Sequence, residues 1–192
     1  LVNNAGFGTY GPFVELDPDE EEREVQVNCQ ALVRLCHAAA PGMLARRSGT
    51  IVNVSSLASR AAAPHNAVYA ATKAFDLSFG EAVWSELQGS AIDALVLQPG
   101  PTATEFQNVA GEVAHEGEPA SQVVGVALNA LGQQPSVISG SFNWLRANAA
   151  TVETPLYAGD VLCIPEGASA PAPPPTAAPT TGAPPTTEGP ET

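Results

Sequence analysis

Positive charge is what this chain has least of. Seven Lys and Arg stand against twenty Asp and Glu in 192 residues, a formal net charge of -13. That balance speaks against a nucleic-acid binder, which needs clustered cations against phosphate, and against docking on an anionic bilayer. Long apolar runs are missing too. None approaches the ~20 residues of a membrane span, and no charged-then-apolar leader opens the chain. The three cysteines (Cys29, Cys36, Cys163) have no metal-ligand spacing, and an odd number makes a poor disulfide framework. His37, His65 and His115 are scattered, with no Cys or carboxylate at ligand spacing, so no metal is expected. These absences point to an acidic, cytoplasmic protein with reduced thiols, free of nucleic acid and membrane.

What is present is a core, with 44% hydrophobic residues, in a length that suits one domain and a tail. Seven of the twenty acids fall between Glu15 and Glu24. Asp17 followed by Pro18 reads as an N-cap with proline at the first helical position, and the acids as a solvated first turn suited to the helix dipole. Val25, Val27, Leu32, Leu35 and Cys36 continue at helical spacing, and Pro41-Gly42 predicts the end of that helix. The β-branched run from Thr50 to Ser55 predicts a buried strand. A helix follows from about Asn66 to Leu87, then a strand over Ala91–Gln98 stopped by Pro99-Gly100. A further helix over Pro119–Leu131 and a short strand over Ser136–Ser139 complete the pattern. Alternating strands and helices predict an α/β fold with a doubly wound parallel sheet.

The end of the chain differs. From 168 to 192, twenty of twenty-five residues are Pro, Thr or Ala and nothing apolar is larger than Ala. Such a segment buries too little to offset its ordering entropy and reads as a disordered tail. The expected division is therefore a domain over 1–150, an unassigned segment over 151–167, and the tail over 168–192.

The chemistry centres on Tyr69-Ala-Ala-Thr-Lys73. Four residues apart on a helix, the phenol and the ammonium share one face. A phenol of pKa ~10 is a poor proton carrier at neutral pH, and an adjacent ammonium favours its ionised form. Lys73 is the chain's only lysine. Ser55-Ser56 closes a strand, with Ser56 thirteen residues before Tyr69. Leu1-Val-Asn3-Asn4-Ala5-Gly6 reads as a short strand running into a turn. Pro99-Gly100-Pro-Thr102-Ala-Thr104 follows another strand. In an open parallel sheet, ligands bind at the carboxyl ends of the strands, where all of these segments would lie. A Ser-His-Asp hydrolase built on Ser56 is the rival reading, and it lacks the Gly-x-Ser-x-Gly elbow.

The ordered set Asn3-Asn4-Ala5-Gly6, Asn28, Ser56, Tyr69-x-x-x-Lys73 and Pro99-Gly100-x-x-x-Thr104 resembles the short-chain dehydrogenase/reductase family over residues 1 to about 150. The resemblance implies an NAD(P)-dependent oxidoreductase interconverting a carbonyl and a secondary alcohol, a small-molecule substrate, and self-association through two long helices. It implies Tyr69 as general acid and base, and Lys73 as the group that lowers the phenol's pKa and binds the nicotinamide ribose. Ser56 would hold the reacting oxygen, and Asn28 a helix kink and a relay water. Asn4, Ala5 and Gly6 would pass beside the adenosine ribose, with Pro99, Gly100, Thr102 and Thr104 around the nicotinamide carboxamide. The resemblance does not distinguish NAD from NADP.

Two departures qualify this. The family's Gly-x-x-x-Gly-x-Gly turn, which seats the pyrophosphate, has no counterpart here; Gly6-Phe-Gly8-Thr-Tyr-Gly11 follows the Asn-Ala-Gly motif instead. The expectation is a chain lacking the first βαβαβ half, with Thr50–Ser55 as an open edge strand. Second, Gly159-Asp-Val-Leu-Cys163-Ile-Pro165 and the Pro/Thr tail resemble the end of a LysM-type module and its linker. The alternative reading is thus a non-catalytic remnant joined to an extracellular linker or carbohydrate-binding segment, which would be secreted. Phe7, Tyr10 and Phe13 read as pocket or core aromatics, and Trp84 and Trp144 as packing residues, with Trp144 near the family's substrate pocket. One measurement follows: titration of this chain with NAD(P)H should show weak binding or none, and tight, saturable binding would refute the expectation.

Overall fold

The structure is a computed structural model that describes residues 1–111 and 117–139. The domain end near 150, the segments 151–167 and 168–192, His115, Trp144 and Cys163 lie outside the described residues.

Four strands form one sheet in the order β1 (Val2–Asn3), β2 (Gly49–Val54), β3 (Ile92–Pro99), β6 (Ser136–Ser139), all parallel. The helices α1 (Pro18–Val25), α2 (Leu32–Arg46), α3 (Ala67–Glu86) and α5 (Ala120–Ala130) connect and cover it. A second, two-stranded ribbon pairs β4 (Thr102–Ala103) with β5 (Glu118–Pro119), next to the short α4 (Phe106–Ala110). The α/β parallel architecture expected from the alternation is what the chain adopts.

Period-two alternation in β3 divides the core. Leu95 and Leu97 pack with Val123, Ala127 and Ala130 of α5 and Val137 of β6. Ile92 and Ala94 face the other way, with Ile51, Cys36 and Met43, backed by Phe79, Trp84 and Leu87. Central strands covered on both faces read as apolar runs, which is why β3 was visible in the sequence.

Three expectations are corrected. The strand over Thr50–Ser55 is not the edge: β1 pairs with it in register Val2↔Val52 and Asn3↔Asn53. A buried amide contact fixes that register, Asn3 Nδ2 donating to Asn53 Oδ1 at 2.9 Å. Val2, 66% exposed, marks the outer edge among the described residues. The helix does not end at Pro41-Gly42 either; α2 runs through Pro41 and stops at Arg46, with Arg47 left-handed. Pro41 has no N–H to offer the His37 carbonyl, and both residues are exposed. Finally, a π-turn over Gln26–Ala31 joins α1 to α2. The buried positions of this long helix are Glu24, Asn28, Leu32, Cys36 and Met43, while Val25 and Leu35 are exposed. Leu32 and Cys36 face inward as expected, while the polar Glu24 and Asn28 take the front of the stripe in place of the valines.

Leu95 is 1% exposed at the centre of the α5 layer. Leu95→Ala should cost about 3 kcal/mol in urea unfolding, and a loss under about 1 kcal/mol would contradict this packing.

Candidate active site

Because the sheet is parallel, the chain leaves every strand at the same edge. Asn4–Gly6 follow β1, Ser55-Ser56 follow β2, and Gly100–Thr104 follow β3. Helix α3 then brings Tyr69 and Lys73 over the end of β2. Lys73 Nζ donates to the carbonyl of Val54 at 2.8 Å, and Ser55 Oγ donates back to the carbonyl of Lys73 at 2.8 Å. Strand end and helix are stitched twice within two residues. The ammonium lies 5.7 Å from the centre of the Tyr69 ring.

Ser55 is spent on that stitch and buried, whereas Ser56 is half-buried and caps the short 3₁₀ turn Leu57–Arg60 by accepting from Ala58 N at 3.2 Å. This turn is pinned from β3. The fully buried Gln98 accepts from Arg60 Nε at 2.6 Å and Ser59 Oγ at 3.3 Å, and Ser59 Oγ also donates to the Ser56 carbonyl.

Asn28 sits inside the π-turn, buried, with its side chain fully engaged. Its Oδ1 accepts from Phe7 N at 3.2 Å, and its Nδ2 donates to Phe7 O at 2.9 Å and Thr72 Oγ1 at 3.0 Å. It thereby locks the loop after β1 onto α3. Gly6 is required at this crossing: a Cβ there would stand 2.9 Å from Asn28 Oδ1 and 3.6 Å from Lys73 Nζ. Gly8 lies against Tyr69, where a Cβ would come within 2.8 Å of the ring. Phe106 of α4 holds the phenol from elsewhere, with ring centres 5.4 Å apart.

The cofactor-side candidates are placed less tightly. Asn4 and Ala5 are exposed beyond β1. Pro99 ends β3, and Gly100 N donates to Ser139 O at 2.6 Å. Thr102 Oγ1 donates to Gly100 O at 3.0 Å, and Thr104 Oγ1 accepts from Phe106 N at 3.3 Å. All belong to the carboxyl edge. Beside it opens a cleft of about 670 Å³ lined by Phe7, Gly8, Thr9, Tyr10, Leu16 and Arg23 among others. Of the three early aromatics, Phe13 is outside this lining and largely exposed.

Two buried carboxylates surround Lys73, and sequence reading had singled out neither. Glu24, expected in a solvated turn, is fully buried and accepts from Thr9 N at 3.0 Å and Thr9 Oγ1 at 3.1 Å. Burial pushes its pKa up, opposed by the Thr9 hydrogen bonds. Asp76, one turn beyond Lys73 on α3, places Oδ2 3.8 Å from Nζ. Burial pushes Asp76 up to about 6, against the pull of Lys73. Burial also lowers the pKa of Lys73, with Asp76 the largest opposing charge. Desolvation therefore outweighs attraction on both members of the pair. The only hint in the sequence was an Asp within the largely apolar stretch Ala-Phe-x-Leu-Ser-Phe. Among the described residues no three His, Cys, Asp or Glu form a metal-binding group, and no helix is long and apolar enough to cross a membrane.

The profile of the short chain dehydrogenase family matches residues 1–114. Dehydrogenase/reductase SDR family member 7B of Bos taurus is 30% identical over 145 residues, 70% of this chain and 45% of that protein. Retinol dehydrogenase 8 of Homo sapiens is 38% identical over 107 residues, 56% of this chain and 34% of that one. The chain thus spans less than half the length of either relative. Among solved structures, a short-chain dehydrogenase from Sphingobium yanoikuyae in complex with NADPH aligns with TM-score 0.65 and 30% identity, covering 79% of this chain and 62% of that one. One from Burkholderia cenocepacia J2315 in complex with NADP aligns with TM-score 0.68 and 28% identity, covering 80% and 66%.

The raised pKa of Asp76 has a definite sign. Its native state holds the proton more tightly than the unfolded state, so this contribution to stability is complete below about pH 4 and is lost as pH rises through 6. Relative to Asp76→Asn, the unmodified protein should lose about 3 kcal/mol across that window in urea unfolding. Parallel pH curves for the two proteins would contradict it.

Proposed function

The chain belongs to the short-chain dehydrogenase/reductase family, and we propose that it serves an NAD(P)-dependent oxidoreductase. The reaction interconverts a carbonyl and a secondary alcohol by hydride transfer, with Tyr69 as general acid and base. One observation carries this reading: the single lysine hangs from the end of β2, two residues before Ser56, with its ammonium 5.7 Å from the Tyr69 ring. An ammonium so placed favours the phenolate and makes proton exchange feasible at neutral pH.

The donor set fits a nicotinamide dinucleotide. Lys73 keeps ammonium hydrogens beyond the one given to Val54. Gly6 leaves bare backbone close to that ammonium, and Thr102 and Thr104 bring hydroxyls to the same edge. Asn4, Ala5 and Gly6 would lie along the adenosine ribose, Lys73 would bind the nicotinamide ribose, and Pro99, Gly100, Thr102 and Thr104 would fix the carboxamide. The NADPH and NADP of the two aligned structures support this cofactor class. When bound, the dinucleotide supplies or accepts the hydride.

The remaining work falls to side chains. Ser56 donates to the reacting oxygen, and Tyr69 gives its proton to that oxygen or takes one from it. Asn28 acts as a positioning residue; with its amide spent on Phe7 and Thr72, the backbone of the π-turn is left to hold a relay water. The substrate is a small molecule entering by the cleft beside Gly8 and Tyr10. Self-association through α2 and α3 belongs to the same reading, since Leu35, Leu44 and Phe75 stand exposed there. In the intact protein, Tyr69→Phe should lower turnover by roughly 10²-fold or more while a fluorescence titration shows cofactor binding nearly unchanged. Retained turnover would discard the mechanism.

A further inference from the structure

We propose that Asp76 is the counter-ion that keeps Lys73 protonated, a positioning residue that acts through the lysine; the inference rests on the reading of Tyr69 and Lys73 given above. The pair is sealed from water, with side-chain exposures of 7% for Lys73 and 2% for Asp76 and an Nζ–Oδ2 distance of 3.8 Å. The second oxygen, Oδ1, is buried and has no hydrogen-bond partner among the described residues. Among the described residues no capping, turn or strand-pairing bond engages this carboxylate, and the Lys73 ammonium is the ionic partner it faces.

The other groups around Lys73 do not replace it. From its own helix comes the Tyr69 ring, and from β2 the neutral carbonyl of Val54. From the π-turn comes Cys29, whose thiol burial holds protonated. From α1 comes Glu24, whose hydrogen bonds go to Thr9 and whose effect on Lys73 is the smallest of the three opposing charges. Cys36 of α2 also feels Asp76, and it too is a buried thiol with a raised pKa. Burial of an ammonium favours the neutral amine. A neutral amine exerts no charge on the phenol, so the acid–base chemistry would fade as Lys73 lost its proton. Asp76, ionised above about pH 6, prevents that over the neutral range.

The chain's single lysine makes the test direct. Lysine labelled with carbon-13 at Cε gives one side-chain resonance, read against pH by NMR with no bound cofactor and no turnover. In the unmodified protein this resonance should carry a step near pH 6 as Asp76 ionises. In Asp76→Asn the step should vanish, and the acid dissociation constant of the lysine should rise about tenfold or more. No step in the unmodified protein, or a change under about threefold in the variant, overturns the proposal. If Asp76→Asn fails to fold, the step in the unmodified protein decides alone. The enzymatic reading is judged apart from this: retained turnover in Tyr69→Phe would end it while leaving the ion pair intact.

Discussion

The hydrogen bond from the Lys73 ammonium to the Val54 carbonyl is the constraint on which the rest of the site depends. It ties the middle of α3 to the last residue of β2, and the Ser55 hydroxyl closes the loop by returning to the Lys73 carbonyl. With that joint made, the positions of Tyr69 one turn earlier and Ser56 two residues later are determined by helix and strand geometry. A lone lysine in a strongly acidic chain thus makes a structural bond and faces a buried carboxylate with the same atom.

A second joint holds the third wall. Asn28 grips both backbone groups of Phe7 and the Thr72 hydroxyl, bringing the loop after β1 against α3. Contact is close enough that Gly6 and Gly8 have no room for a methyl group. Glu24, one helical turn before Asn28, grips Thr9 of the same loop. The long helix therefore presents hydrogen-bonding side chains, in place of an apolar stripe, to the loop after β1.

Which of this was legible in the sequence follows from how each element is made. The strands around Ile51 and Leu95 and the helix bearing Tyr69 and Lys73 declare themselves through local composition and period, and their predicted spans lie within one or two residues of those observed. Ser56 could be separated from Ser55 by its interval to Tyr69, and the structure gives the two serines different neighbours. What escaped depends on contacts distant in sequence. Glu24 looked like one more acid in a solvated run because nothing local reveals that Thr9 would fold over it. Asp76 looked incidental because its burial arises only when α3 docks on the sheet. Gln98 was absorbed into an apolar strand, although a glutamine just before Pro99-Gly100 was a visible irregularity. The continuation of α2 past Pro41 required knowing that this side of the helix faces water.

The wide turn at Gln26–Ala31 has one more consequence. Each residue advances an α-helix by about 100°. Shortening this stretch by a single residue would swing Leu32, Cys36 and Met43 out of the core together, or else rotate Glu24 and Asn28 away from the loop they hold. The irregular turn thus acts as a phase shifter between two halves of one rod. It lets the front half follow the loop after β1 and the rear half the hydrophobic layer, and it makes the length of this segment intolerant of insertion or deletion even where its individual side chains are free to vary.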